Sequence, residues 1–192
     1  MRQAKTSRNT LETKIDLKLN IDGSGKININ SGIGFFDHML RAMAFYAGFD
    51  LNLDCDGDLH VDTHHTAEDI GLTLGAGLKE ALGDKKGIKR FASPITPMDE
   101  SLVLVAIDIS NRPFLLENLD FKAERLGDME CQSFKEFFHG FAMSAGITIH
   151  IDIMRGENDH HKIEAVFKGL GRAIREAVCI VGTSVVSTKG VL

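Results

Sequence analysis

The sequence predicts an α+β fold made by internal duplication, one plan laid down twice in 192 residues. Three observations carry that prediction. "DTHHTAED" at Asp62–Asp69 recurs as "ENDHHKIEA" at Glu157–Ala165, each with paired histidines and a glutamate three residues after the second. "AGFDLNL" at Ala47–Leu53 matches "AGITIHI" at Ala145–Ile151 with an offset of 98, and the histidine pairs then align at 96. The hydrophobic periodicities around these segments fall in the same order in both halves, as a repeated supersecondary unit requires.

Alternate apolar residues Ile15, Leu17, Leu19 and Ile21 predict a strand, and "DGSGK" at Asp22–Lys26 predicts a hairpin turn into a second strand. "FFDHMLRAMAFYAG" from Phe35 has helical spacing and stops at Gly48. "FDLNLD" is a strand, and Ile70, Leu72, Leu74, Leu78 and Leu82 mark a helix running from His64 to Leu82. After Pro94 and Pro97 the order returns, with "ESLVLVAIDIS" and "RPFLLENLDF" as strands, then the helix "SFKEFFHGFAMSAG". The strand "ITIHIDI" and the helix "HHKIEAVFKGLGRAIREAV" complete it. Residues 1–92 and 93–192 are thus expected to be two halves of one compact catalytic unit.

Composition sets the class. Apolar and charged fractions of 43% and 26% are those of a globular chain long enough to bury a sizeable core. A net charge of -5 argues against nucleic acid or an anionic membrane surface as partner, without excluding a small anionic ligand. Cys55, Cys131 and Cys179 form no CxxC pair, so neither a disulfide framework nor a thiolate zinc site is expected. The N-terminal stretch has no apolar segment resembling a signal peptide, and the longest apolar run, "LVLVAI", is too short for a bilayer. A cytoplasmic location is the expectation.

Residues at i and i+4 share a helical face, whereas neighbours point about 100° apart. His64 with Glu68, and His160 with Glu164, can therefore each chelate one ion, while His65 and His161 must look elsewhere. The economical arrangement is a pseudo-symmetric pair of ions, each completed by the spare histidine of the other half, within one chain or between subunits. The offset of 98 carries His38 onto Glu136, so both join the ligand set; His139 falls on Arg41 and is left out. Imidazole and carboxylate without sulfur suit Mn(II), Fe(II), Zn(II) or Co(II), with open positions for substrate.

Arg90, Arg112 and Lys189 stand in settings that suit an anionic group, with Ser187 and Thr188 as nearby donors. Taken singly, each reads as a solvated charge or a cap. The residues alone leave a dinuclear metal enzyme with an anionic substrate, against two rivals: a metal-storage protein and a dinuclear hydrolase.

"GIGFFDHML", "DTHHTAEDIG", "GENDHHKIEA" and the terminal "STKGVL" together resemble the imidazoleglycerol-phosphate dehydratases of histidine biosynthesis, from about Arg8 to Leu192. The resemblance implies the monofunctional form, and a duplicated α+β fold in which each half is a four-stranded sheet backed by helices. It implies a homo-oligomeric shell of 24 subunits with sites between them. The implied reaction converts D-erythro-imidazoleglycerol phosphate to imidazole acetol phosphate. Two Mn(II) per active site are implied, held by His38, His64, His65, Glu68, Glu136, His160, His161 and Glu164; many members have histidine where this chain has Glu136. The resemblance implies that an imidazolate bridging two Lewis-acidic ions would make the ring an electron sink, supporting loss of hydroxide through a diazafulvene-like intermediate before proton removal and tautomerisation to the ketone. Glu12, in "TLETKI", matches the acid–base residue, beside Glu68 and Glu164 as catalytic carboxylates. Arg90, Arg112, Lys168, Ser187, Thr188 and Lys189 match positions that hold the substrate, chiefly its phosphate. Asp37 has two readings, orienting an imidazole or serving as a helix-start carboxylate.

Overall fold

The structure, a computed structural model, describes residues 2–192. It opens with a strand that periodicity does not single out, β1 (Gln3–Asn9), in which only Ala4 is buried. β1 pairs antiparallel with β2 (Thr13–Asn20), whose Ile15, Leu17 and Leu19 face inward and whose Asp16 and Lys18 face solvent. β3 (Ile27–Asn30), α1 (Gly34–Ala47) and β4 (Asp50–Gly57) follow, and the sheet order is β1-β2-β4-β3.

The expected hairpin at Asp22–Lys26 does not form. β4 lies between β2 and β3, and β3 runs parallel to β4. Asp50, the first residue of β4, accepts hydrogen bonds from the backbone N–H of Ser24 at 2.7 Å and Lys26 at 2.9 Å, so the loop crosses the end of an intervening strand. Those bonds, the Lys26 one first, hold the Asp50 carboxyl down at about 2. α2 (His64–Leu82) completes the half.

The second half contains β5 (Phe91–Ala92), β6 (Ile95–Met98), β7 (Ser101–Ile109), β8 (Phe114–Glu117), β9 (Arg125–Leu126), β10 (Met129–Glu130), α3 (Ser133–Ala145), β11 (Ile147–Arg155) and α4 (Asp159–Ala177). Its sheet, β5-β7-β11-β8 with β6 also on β7, has five strands because the edge position of β1 is divided in two. Pro94, which cannot donate to a ladder, sits at the division. Register fixes the repeat: Ala4 faces Leu19 as Ala92 faces Ile107, and Leu17 faces Leu53 as Val105 faces Ile151. The offset is therefore 88 for the first three strands, 98 for the first helix and the strand after it, and 96 for the helices that carry the histidine pairs. The extra residues lie between β8 and α3 and include the β9–β10 hairpin.

The halves interleave. α2 covers the first sheet and packs on α3, while α4 covers the second and packs on α1. One continuous core results, centred on the fully buried Phe36, Phe134, Phe137, Phe138, Phe141 and Phe167. Glycines permit the helix pairs to approach: a Cβ on Gly71 would stand 2.4 Å from the Phe137 carbonyl oxygen, and one on Gly171 would stand 2.3 Å from that of Met43. Gly171→Ala must push α4 from α1, and is expected to lower unfolding stability by about 1–3 kcal/mol, as overpacking does. An unchanged urea midpoint would sink this account.

The β9–β10 region gathers all four helix starts at one end. Asp128 accepts from Gly34 N and Phe35 N at the start of α1, and Glu130 accepts from Thr63 N ahead of α2. Thr63 Oγ1 also meets Ser133 Oγ of α3, and Asp159 of α4 accepts from Lys122 N and Ala123 N. Among the described residues no helix is long and apolar enough to cross a membrane.

All three cysteines are free thiols. Burial pushes the Cys55 thiol up to about 12 and that of Cys131 to about 11, whereas Cys179 is exposed. Because the thiolate is the nucleophile, a disulfide reagent at pH 8 is expected to titrate one thiol in the folded protein, mapped to Cys179. Rapid labelling of Cys55 would contradict its burial.

Candidate metal centre

Local chemistry sets where each histidine pair begins. Asn158 precedes α4 and its side-chain oxygen accepts from His160 N at 2.9 Å and His161 N at 3.3 Å, an N-cap arrangement that starts the helix on Asp159 and places both histidines in its first turn. Asp62 accepts from His64 N at 2.8 Å at the start of α2. Asp37 accepts from Ser31 N at 2.8 Å, securing the loop that enters α1, which favours the helix-start reading of that residue.

His38, on the first turns of α1, meets the second motif. Ligand-type atoms of His38, His160 and Glu164 all lie within 4.8 Å of one another. Glu164 Oε2 is 3.1 Å from His160 Nε2 and 3.5 Å from His38 Nε2. Its other oxygen accepts from Lys168 Nζ at 2.8 Å. Burial raises the Glu164 carboxyl, but the Lys168 hydrogen bond with the charges of Lys168 and His38 outweighs it, holding the group below the usual carboxylate value. Phe35 packs edge-on against His160 at 5.1 Å and His38 at 6.5 Å, fixing one wall of the group. His38 is exposed and Glu164 buried, so the group opens outward.

This is the only three-donor group among the described residues. His64, Glu68 and Glu136 stand outside it, although the backbone brings their segments together: a Cβ on Gly140, one turn after Glu136, would lie 2.8 Å from the Glu68 carbonyl oxygen. The spare histidines are held by carboxylates. His65 Nδ1 is 2.9 Å from Asp58 Oδ2, with Glu12 Oε1 3.7 Å from Nε2. His161 Nδ1 is 2.8 Å from Glu100 Oε2.

The basic residues lie elsewhere. Arg90 N donates to the Ala177 carbonyl at the far end of α4, and the buried Arg90 guanidinium grips Asp108 at 2.7 and 3.1 Å and the Val186 carbonyl at 2.5 Å. Arg112 is exposed and shares Asp108 at 3.2 Å. Ser187 Oγ accepts from Lys189 N at 3.2 Å, next to the Val186 that Arg90 holds. At 1.5 Å per residue, the length of α4 from His160 to Ala177 is roughly 25 Å. Within one chain the histidine group and the set Arg90, Arg112, Ser187, Thr188 and Lys189 are thus at opposite ends. Of the residues expected at the substrate, Lys168 stands beside the His38, His160 and Glu164 group and Glu12 beside His65.

The family model described as imidazoleglycerol-phosphate dehydratase matches residues 31–174, a span that contains both histidine motifs, His38 and Glu136. The chain belongs to the imidazoleglycerol-phosphate dehydratase family. It is 55% identical to the imidazoleglycerol-phosphate dehydratase of Clostridioides difficile (strain 630) over 192 residues, covering 100% of each. The Carboxydothermus hydrogenoformans enzyme of that name is 53% identical over the same length. In three dimensions it resembles the crystal structure of IGPD from Pyrococcus furiosus in complex with (S)-C348, with a TM-score of 0.85 at 42% identity, covering 97% of this chain and 99% of that one. The Staphylococcus aureus dehydratase gives 0.84 at 36% identity, with 93% and 99% covered. The α+β fold read from the sequence is therefore the dehydratase fold.

Sequence reasoning missed three carboxylates near these histidines: Asp58, Glu100 and Asp128. The first two bond the spare histidines and the third caps α1. Glu100 was findable, because it falls on Glu12 once β2 and β7 are aligned at 88 instead of 98.

Proposed function

We propose that this chain dehydrates imidazoleglycerol phosphate to imidazole acetol phosphate in histidine biosynthesis, at a site holding two Mn(II). The observation that carries this reading is the outward-facing group of His38, His160 and Glu164 in a chain of the dehydratase family. Two imidazoles and a carboxylate, with no thiolate in the group, are a donor set that suits Mn(II). His38, His160 and Glu164 would hold one ion, with His64, His65, Glu68, Glu136 and His161 as the remaining ligands. Bound ions supply Lewis acidity toward the imidazole ring of the substrate.

The chain's own groups do the rest. Lys168, paired with Glu164, stands where it can also bind an anionic oxygen of the substrate. Glu12, half exposed beside His65, is the candidate for moving a proton at the carbon or hydroxyl of the substrate's side chain. Arg90, Arg112, Ser187, Thr188 and Lys189 form the phosphate-binding set. Their distance from the histidines within one chain favours a site completed by a second copy, in keeping with a homo-oligomer.

The test is turnover by protein stripped of metal and then supplied with Mn(II), following both acetol phosphate and inorganic phosphate. Acetol phosphate formed only with Mn(II) supports the proposal. Release of inorganic phosphate points instead to a hydrolase, and neither product with Mn(II) bound points to storage.

A further inference from the structure

The glutamates that precede β2 and β7 occupy one position of the repeat. Register places Leu17 opposite Leu53 and Val105 opposite Ile151, so the offset of 88 carries Glu12 onto Glu100. Each comes close to the second histidine of the neighbouring pair, yet the two are held differently. Glu12 is fixed through its backbone, with its N–H to Thr10 Oγ1 at 3.1 Å and its carbonyl to Asp58 N at 3.0 Å, and its carboxylate is half exposed. Glu100 is fixed through its carboxylate. Oε1 accepts from Asn158 N at 2.9 Å, Glu157 N at 3.2 Å and Ser101 Oγ at 3.1 Å, and Oε2 is bonded to His161 Nδ1 at 2.8 Å.

In the first half that Nδ1 bond is made by another residue, Asp58, at 2.9 Å from His65. A carboxylate on Nδ1 keeps the proton there, fixes the ring's rotation and leaves the Nε2 lone pair directed outward. We infer that Glu100 is a positioning residue that presents Nε2 of His161, as Asp58 presents Nε2 of His65, and that this exchange of partners frees Glu12 to face the substrate. The duplicated glutamate has thus taken two jobs. The inference rests on the metal reading above, in which both rings are ligands.

The experiment is Mn(II) titration of the metal-free protein, read by the electron paramagnetic resonance of free Mn(II), with the melting midpoint of each metal-free protein measured alongside. Glu100→Gln keeps an oxygen for Asn158 N and Glu157 N, and Asp58→Asn is its counterpart. Both are expected to bind Mn(II) about 10–100-fold more weakly, with metal-free midpoints close to that of the unmodified protein. Glu12→Gln is expected to bind Mn(II) as the unmodified protein does while losing turnover. Mn(II) affinities of Glu100→Gln and Asp58→Asn within twofold of the unmodified protein would overturn the inference, as would a fall in melting midpoint without one in affinity. An unmodified protein that binds Mn(II) but yields no acetol phosphate overturns the proposed reaction and leaves the positioning result standing; one that binds no Mn(II) overturns both.

Discussion

Glu164→Gln is expected to reduce turnover of imidazoleglycerol phosphate by roughly a thousandfold, because Lewis-acid stabilisation is worth several kcal/mol and each 1.4 kcal/mol is a factor of ten. Glu164 is the residue on which the group converges: it meets His38, His160 and Lys168 at once. The glutamine amide keeps the shape and one oxygen but loses the charge, so the fold should persist while the ion is held less well. Steady-state kinetics at saturating Mn(II), with circular dichroism as the control for folding, would measure it. Turnover within tenfold of the unmodified enzyme would remove Glu164 from the ligand set.

The second large effect concerns the distance between the two ends of α4. His160→Ala and Lys189→Ala are each expected to be nearly inactive at low substrate, the first lacking a ligand and the second a phosphate contact. If a site takes its histidines from one copy and its phosphate-binding residues from another, a mixed assembly contains intact sites. Random mixing of equal amounts should restore about a quarter of the unmodified activity. Mixing the two proteins metal-free, then adding Mn(II), and assaying turnover provides the measurement. Activity no greater than the sum of the separate variants would mean that one chain forms the whole site, which the span from His160 to Ala177 opposes.

Much of this was legible in the sequence, for reasons that can be named. The two His-His-x-x-Glu helices stand out because caps and ligands lie side by side: Asn158 caps α4 through the backbone of His160, and Asp62 bonds the backbone of His64. β2, β4, β7 and β11 were visible because each buries alternate residues against helices. β1 was not, since its inward positions are Ala4, Thr6 and Arg8, and two of those three are polar. Strand order also escaped, because a polar turn such as Asp22–Lys26 reads alike whether it closes a hairpin or crosses a third strand. What decides between these is Asp50, distant in sequence. The pairing of His38 with the second motif was only half visible. Symmetry selected the residue, but the packing of α1 on α4 brought it there.

The gathering of four helix starts around the β9–β10 hairpin has an electrostatic consequence. Each helix presents about half a positive charge at its N-terminus, so this end of the protein carries a fixed positive field of its own. Such a field repels a free cation but welcomes carboxylates, and Asp62, Asp128, Glu130 and Asp159 are all bonded to backbone N–H groups there. Acidic side chains crowded at one pole are thereby restrained by the scaffold before any ion arrives. The starts of α1 and α4 lie at this pole, so the group of His38, His160 and Glu164 stands among acids whose charge the backbone already offsets.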